Sequence, residues 1–377
     1  MRILHVTPSY KPAFQYGGPT ISVSRLAEAQ TEAGAEVSVY TTTANGADEL
    51  PVSTGKPLDV DDVSVWYFRR WTGDHGHLSP HLLVKLWQTA PHFDVIHIHS
   101  WWNWVALGAA LVCRLRKVQT VITPHGMLSP YTLKAHGRRF FQRHIGNRLL
   151  KGALLHATSQ LEQRELKAIA PQISSDMVHN IVELPCMPDR EQRKKDEPFR
   201  LLFISRVHPK KGLDVLLEAL RGIETPWQLT VAGDGADQYV KELKARANQA
   251  GIGQQIHWIG WVSGPKKWQV IADSDLLILP SRNENFAIVV IEALALGVPV
   301  LVSDQGGLCD YILLQDFGWV CSRQISDLHR ANEESIKNEN KRTWIRHLAP
   351  QQILIDFEPR RLAARYFNMY KDHQTAL

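Results

Sequence analysis

No apolar run in this 377-residue chain approaches the 18 or more residues that a bilayer-spanning helix needs. A membrane-spanning protein is therefore not expected. Cysteines are few: Cys113, Cys186, Cys309 and Cys321 are scattered, with no C-x-x-C pair. That pattern implies neither a disulfide framework nor a zinc site, and Cys113 and Cys309, among apolar or small neighbours, read as core thiols. Charge of one sign is hardly in excess. Lys and Arg number 43 against 38 Asp and Glu, a formal charge of +5. This is too little for a dedicated nucleic-acid binder but permits anionic partners such as phosphates or lipid headgroups. The start, MRILHVTPSY, enters a strand pattern with no signal-peptide pattern, so a cytoplasmic location is expected. What remains is an ordinary globular composition, 44% hydrophobic and 21% charged.

The chain alternates short apolar runs with helical patterns, twice over. RILHV (2–6), EVSVY (36–40), VSVWYF (63–68), DVIHIH (94–99), TVIT (120–123) and LLHATS (154–159) read as strands, with a helix over 21–34. The polar, proline-bounded PDREQRKKDEP (188–198) reads as a linker. The pattern then restarts with FRLLFIS (199–205), a helix over 212–222, WQLTVAG (227–233), a helix over 240–251, QIHWIG (255–260), LLILP (276–280) and VPVLVS (298–303). Strand, helix, strand in this order means parallel sheets with right-handed crossovers. The expected fold is α/β, two Rossmann-like doubly wound domains facing a cleft. Ligands of such sheets bind beyond the carboxyl ends of strands.

The informative residues do follow strands. Gly17 and Gly18 lie in the loop after the first strand and before a helix, where adjacent glycines let backbone N–H groups approach a phosphate. No G-x-G-x-x-G accompanies them, so the dinucleotide reading is weak. Thr123-Pro124-His125-Gly126 follows TVIT, and His97 and His99 alternate along DVIHIH. With His125 they suggest a metal, but no carboxylate or cysteine completes a set, and structural histidines are the plainer reading. Ser205 to Gly212 carries Arg206 and Lys211, a planar fork and a point charge suited to a diphosphate. Gly233 and Gly235, after LTVA, would let a base or ribose approach the backbone; Trp261 and Val262 follow IHWIG. Ordinary strand-to-loop turns explain both segments equally well. In SRNENFAIVVIEALALGVPV, Glu284 and Glu292 stand eight positions apart, about 12 Å if both lie on one helix. Glu292 lies among apolar residues, where a carboxylate without a partner is costly.

This spacing, with its flanking strands and the Ser303-Asp304-Gln305-Gly306-Gly307 that follows, resembles the E-x7-E motif of the GT4 retaining glycosyltransferases. Arg206 and Lys211 match that family's R-x4-KG element, and His125-Gly126 its H-G. The resemblance covers nearly the whole chain and implies the GT-B fold. Its domains would be residues 1–187, joined by a last helix over 358–377, and residues 188–357. It implies transfer of a hexosyl group, with UDP-glucose the base-rate donor, to a saccharide acceptor that is lipid-linked, in polysaccharide assembly. Arg206 and Lys211 would bind the diphosphate and act as electrophilic catalyst. Glu284 would contact the hexose, beside N–H groups of Phe286 and Ala287, and Asn285 would belong to the same donor site. Glu292 would bind ribose hydroxyls, and the turn at Trp261 and Val262 the base. Gly17, Gly18 and His125 would complete the donor site, and His99 and Trp101 would line the acceptor side.

No metal and no cofactor are expected. The acidic pairs Asp59-Val60-Asp61 and Asp273-Ser274-Asp275 are not at the carboxyl end of a strand. A UDP-sugar epimerase of the same two-domain architecture and a non-catalytic nucleotide-sugar sensor remain as alternatives. Residues 134–151 are basic (Lys134, Arg138, Arg139, Arg143, Arg148, Lys151), with Phe141, Ile145 and Leu149 at helical spacing. Beside SWWNW (100–104) they suit an anionic membrane surface; equally they suit a helix packed on the first domain. The segment 326–344 is polar and reads as surface helix and loop, and 358–371 as a helix with an apolar stripe through Leu362 and Tyr366.

Overall fold

The computed structural model describes residues 1–185, 188 and 197–375. Cys186 and nearly all of the linker segment lie outside them. The chain forms two compact units, Met1–Val182 with Phe357–Leu377, and Glu183–Asp356.

The first unit holds β1 (Arg2–Val6), β2 (Glu36–Thr42), β3 (Ala44–Asn45), β4 (Asp48–Glu49), β5 (Pro57–Val60), β6 (Val63–Phe68), β7 (Val95–His99), β8 (Thr120–Thr123), β9 (Leu154–Ala157) and β10 (Ser175–Met177). Eight of them form one sheet in the order β10-β9-β8-β7-β1-β2-β6-β5, in which β5 alone runs antiparallel to its neighbour. The order reverses between β1 and β7, which makes the ends of these two strands a topological switch point. Most of β1, β7, β8 and β9 is fully buried, as expected of parallel strands covered on both faces. The last helix, Pro359–Thr375, belongs to this unit and buries Leu362, Tyr366, Met369 and Tyr370.

The second unit holds β11 (Phe199–Ile204), β12 (Trp227–Ala232), β13 (Ile256–Gly260), β14 (Leu276–Leu279), β15 (Val300–Ser303) and β16 (Gly318–Cys321). They form a wholly parallel sheet in the order β13-β12-β11-β14-β15-β16, the doubly wound arrangement with its switch point between β11 and β14. The segment expected to be surface helix and loop is instead two helices, Ile325–Lys337 and Glu339–Asp356, that bury Leu328, Ala331, Asn332, Ser335 and Ile336. Arg342 is buried too, donating to the carbonyls of Ser335 and Ile336 at 2.5 and 2.6 Å.

Candidate active site

In the second unit, three strand-end loops converge at the switch point. The loop after β11 closes in a tight turn, Pro209–Lys211, and Gly212 at φ 75° opens the helix Leu213–Ala219. A Cβ on Gly212 would stand 2.1 Å from the carbonyl oxygen of Pro280, at the end of β14. Only glycine combines this φ with that approach. The contact delivers Lys211 to Glu284: its ammonium donates to Glu284 Oε2, with both side chains mostly shielded. Ser281 Oγ lies 3.4 Å from the same oxygen. The backbone of Glu284 is clamped from the loop after β15, its N–H donating to Gln305 O (3.1 Å) and its carbonyl accepting from Gly307 N–H (2.8 Å). The SDQGG segment thus serves to hold Glu284 in place. Arg206 projects from the β11 loop and is exposed. Lys210, unremarked in the sequence, is half-buried, and burial pulls its pKa down against the opposing pull of Glu284.

Glu284 and Glu292 do not share a helix. The helix is Ile288–Ala295, and Glu284 precedes it in a loop that ends with Ala287 in the left-handed region, φ 59° and ψ 70°. The one-helix spacing argument therefore covers only Ile288 onward. A residue such as Ala287 costs about 1–3 kcal/mol to hold there and marks a constrained turn. Phe286 is buried and Asn285 half-buried beside it. Glu292 is 6% exposed, and its partner is Lys267, whose Nζ lies 2.6 and 2.5 Å from the two carboxylate oxygens. Burial raises the Glu292 pKa while Lys267 pulls it back. Lys267 was not legible, because a lysine in GPKKWQ carries no mark of the carboxylate it will meet. Lys267→Ala should destabilise the second unit by about 3–5 kcal/mol, since it leaves a buried carboxylate uncompensated. Glu292→Gln should cost far less stability and should weaken UDP binding if Glu292 turns to a ribose. Melting curves with UDP calorimetry check this, and equal melting losses in both variants would contradict it.

Gly233 and Gly235 have a reason within the fold to be glycine. Cβ atoms there would stand 1.9 Å from Ser205 O and 2.0 Å from Val207 O. The close approach is to the protein's own β11 loop, which pairs Val207 with Gly235. Trp261 is 60% exposed, and Val262 beside it is buried.

In the first unit, Gly17 at φ 74° caps the helix Gly18–Glu32, and a Cβ on Gly17 or Gly18 would meet nothing within 4 Å. The backbone there is open, as a bound phosphate needs. His125, half-buried at φ 52°, follows β8 in an unusual left-handed turn. Glu162 holds that turn: Oε1 accepts from Gly126 N–H at 2.6 Å, and Oε2 accepts from the N–H and hydroxyl of Thr158 at 2.8 and 3.0 Å. Ser159 caps the helix that carries Glu162. Ser159-x-x-Glu162 is a capping-box spacing and was the available signal for this residue.

Two acceptor-side expectations fail. Trp101 is fully buried, its indole N–H donating to Gln142 Oε1 at 2.7 Å, so it is a core residue. His99 is 2% exposed, its Nδ1 3.2 Å from Nε2 of half-buried His125. The basic segment is not one continuous α-helix. A π-helical stretch, Gln142–Gly146, interrupts it and shifts its phase. Phe141 packs on Trp102, while Phe140 (66%) and Ile145 (46%) are exposed.

Residues 188–352 match the model of the family described as glycosyl transferases group 1, and residues 17–179 that of the glycosyl transferase 4-like domain. The chain is a group 1 glycosyltransferase of the GT4 type. This glycosyltransferase is 27% identical over 353 residues to the D-inositol 3-phosphate glycosyltransferase of Jonesia denitrificans, covering 82% of this chain and 80% of that one. It is 24% identical over 395 residues to a glycogen synthase of Mycobacterium tuberculosis, covering 98% of this chain and 94% of that one. Its fold matches the crystal structure of Anabaena HepE in complex with UDP and glucose, with a TM-score of 0.75, 21% identity and coverage of 99% and 100%. The GT-B fold expected from the sequence is the fold observed.

Proposed function

We propose that this glycosyltransferase moves a glucosyl group from UDP-glucose, with retention of configuration and without a metal, to a saccharide acceptor carried on a lipid, in polysaccharide assembly at the cytoplasmic face of a membrane. The observation that carries the donor half is the Lys211–Glu284 pair at the switch point of the second unit. A cation and a carboxylate held together by three loops suit a ligand that joins an anionic diphosphate to a polyhydroxylated ring. Lys211 and exposed Arg206 would take the diphosphate and the charge that grows on it as the glycosidic bond breaks. Glu284 would then exchange its lysine for a sugar hydroxyl. Glu292 and Lys267 would lie toward the ribose, with Trp261 and Val262 near the base. In the first unit, the open backbone at Gly17 and Gly18 would suit a phosphate, and His125 a sugar hydroxyl. UDP as nucleotide and glucose as sugar are supported by the complex of the fold-mate HepE. A thermal-shift panel of UDP-glucose, UDP-galactose, UDP-N-acetylglucosamine and GDP-mannose tests the donor. Stabilisation by the GDP-sugar alone would overturn it, and epimerised nucleotide sugar formed without acceptor would favour the epimerase.

The acceptor half rests on exposed Phe140 and Ile145 among Lys134, Arg138, Arg139, Arg143, Arg148 and Lys151. Trp104, 56% exposed, adds an amphipathic ring suited to headgroup depth. Among the described residues no helix is long and apolar enough to cross a membrane, so association would be peripheral and electrostatic. Co-sedimentation with anionic liposomes is expected at low salt and should be lost at high salt. Equal recovery with neutral and anionic liposomes, or none with either, would leave a soluble acceptor.

A further inference from the structure

Five histidines of the first unit belong to one hydrogen-bonded chain, and only one of them, His125, reaches the surface. The chain can be followed from its far end, where the acceptor is unambiguous. His156 Nε2 lies 2.9 Å from the carbonyl oxygen of Val178 and must donate to it. Burial holds the pKa of His156 down to about 4, so the ring is neutral and Nδ1 is an acceptor. Thr123 Oγ1, 2.7 Å away, donates to that nitrogen and accepts from His97 Nε2–H at 2.6 Å. His97 Nδ1 is then an acceptor for the Tyr370 hydroxyl at 2.8 Å. With its proton so engaged, Tyr370 accepts from the amide of Gln30, at 3.0 Å.

Gln30 is the turning point. With its nitrogen committed to Tyr370, its oxygen faces His5 Nε2 at 2.8 Å and accepts from it. His5 Nδ1 then accepts from His99 Nε2–H (2.9 Å), and His99 Nδ1 accepts from His125 Nε2–H (3.2 Å). Reversing the amide would reverse His5, His99 and His125. It would also force Tyr370, His97 and Thr123 to run backwards, leaving His156 either cationic or with a lone pair against the Val178 carbonyl. His5, His97, His99 and His156 are at most 2% exposed, and burial lowers all four pKa values, which makes a buried imidazolium costly. One arrangement therefore keeps every member neutral and satisfied. The same interior places ligand atoms of His5, His97 and His99 within 4.8 Å of one another, close enough to bracket a metal ion. All their ring nitrogens are already committed to the chain, however, so metal would have to dismantle it.

We propose that Gln30, with Tyr370 behind it, is a positioning residue that acts on His125 through two buried imidazoles, holding it as the Nε2–H tautomer with Nδ1 bare. His125 thus meets substrate as a hydrogen-bond acceptor for a hydroxyl proton. This last clause rests on the transferase reading above; the tautomer does not. The hydrogen bond made by one ring nitrogen of a site histidine commonly decides which nitrogen is left available. Here the decision is taken on the helix Gly18–Glu32 and on the last helix, at a distance from the site.

The test is the two-bond 1H–15N spectrum of the histidine-labelled full chain at neutral pH, with the His125→Gln spectrum identifying the His125 signal. Wild type should show His125 protonated at Nε2 alone. Gln30→Met, close in volume, should turn this into a mixture of tautomers. Turnover should fall about tenfold with the KM for the nucleotide sugar nearly unchanged, an effect that a loss of packing alone would not place on His125. Tyr370→Phe, which frees the Gln30 amide to rotate, should act in the same direction and serves if Gln30→Met does not fold. A wild-type His125 protonated at Nδ1 would overturn the proposal, as would a Gln30→Met or Tyr370→Phe spectrum identical to wild type at His125. Inactivity of the wild type on UDP-sugars would sink the transferase reading but leave the tautomer result standing.

Discussion

Lys211→Ala should lower kcat by about two to three orders of magnitude, the cost of removing one preorganised electrophilic group from a charge that develops in the transition state. Its effect on folding should be much smaller, because the pair it breaks is shielded but not fully buried, at 16% and 17% side-chain exposure. Two consequences separate the catalytic from the structural contribution. Lys211→Ala leaves the Glu284 carboxylate facing Ser281 and half-buried Lys210 without its main partner. Glu284→Gln added to Lys211→Ala should therefore restore part of the lost melting temperature, a coupling that a double-mutant cycle reads directly. The same second substitution should restore no turnover, since the missing charge belongs with the phosphates. Arg206→Ala should lower turnover with no change in melting, as its side chain is exposed. Near-normal turnover in Lys211→Ala and Arg206→Ala together would remove both from the diphosphate site. Recovery of turnover in the double variant would mean that the pair is a structural salt bridge.

What could be read from the sequence depended on period and length. Parallel strands buried on both faces give unbroken apolar runs, so LLILP and VPVLVS declared themselves, and the loops after them could be located. The strands Gly318–Cys321 and Ser175–Met177 did not, because three or four residues at a sheet edge carry no period. Charge constellations were legible as positions but not as partners. Lys211 and Glu284 lie far apart in sequence, and their meeting depends on Gly212 packing against Pro280. Aromatics in loops were the least legible. SWWNW has no period, and nothing in it tells buried Trp101 from exposed Trp104. In 134–151 the stripe Phe141, Ile145, Leu149 assumed an unbroken α-helix, whereas the π-helical Gln142–Gly146 turns Ile145 outward. The histidine chain could not be read because its members come from strands whose adjacency is fixed only by the sheet order. His5 stands beside His97 in register, and His99 beside Thr123.

Five buried histidines, four of them members of that chain, also set how the first unit responds to acid. His5, His77, His97, His99 and His156 are all at most 5% exposed. Burial lowers their pKa values, to about 4 for His5, His77 and His156. The sign follows from counting protons. Below the unfolded value of 6.5, unfolded chain binds protons at these sites and folded chain does not, so stability is complete above that value and falls as pH drops toward about 4. Between about pH 7.5 and 5.5 each of His5, His77 and His156 loses on the order of 1 kcal/mol, and His97 and His99 shift stability in the same direction. Glu165 opposes this, because burial lifts its pKa to about 7 and the folded state then takes up a proton the unfolded state refuses. One such partly exposed group offsets only part of the loss. The remaining loss is a sizeable fraction of the stability of a marginal domain, and should lower the melting temperature of the first unit by several degrees or more. Scanning calorimetry from pH 7.5 to 5.5 checks it, with transitions assigned by intrinsic fluorescence. The second unit has no comparable set of buried histidines among its described residues, so its transition should move less. A first-unit transition that holds its temperature across this range would mean that the histidines take up protons in the folded state, and that the chain is not neutral.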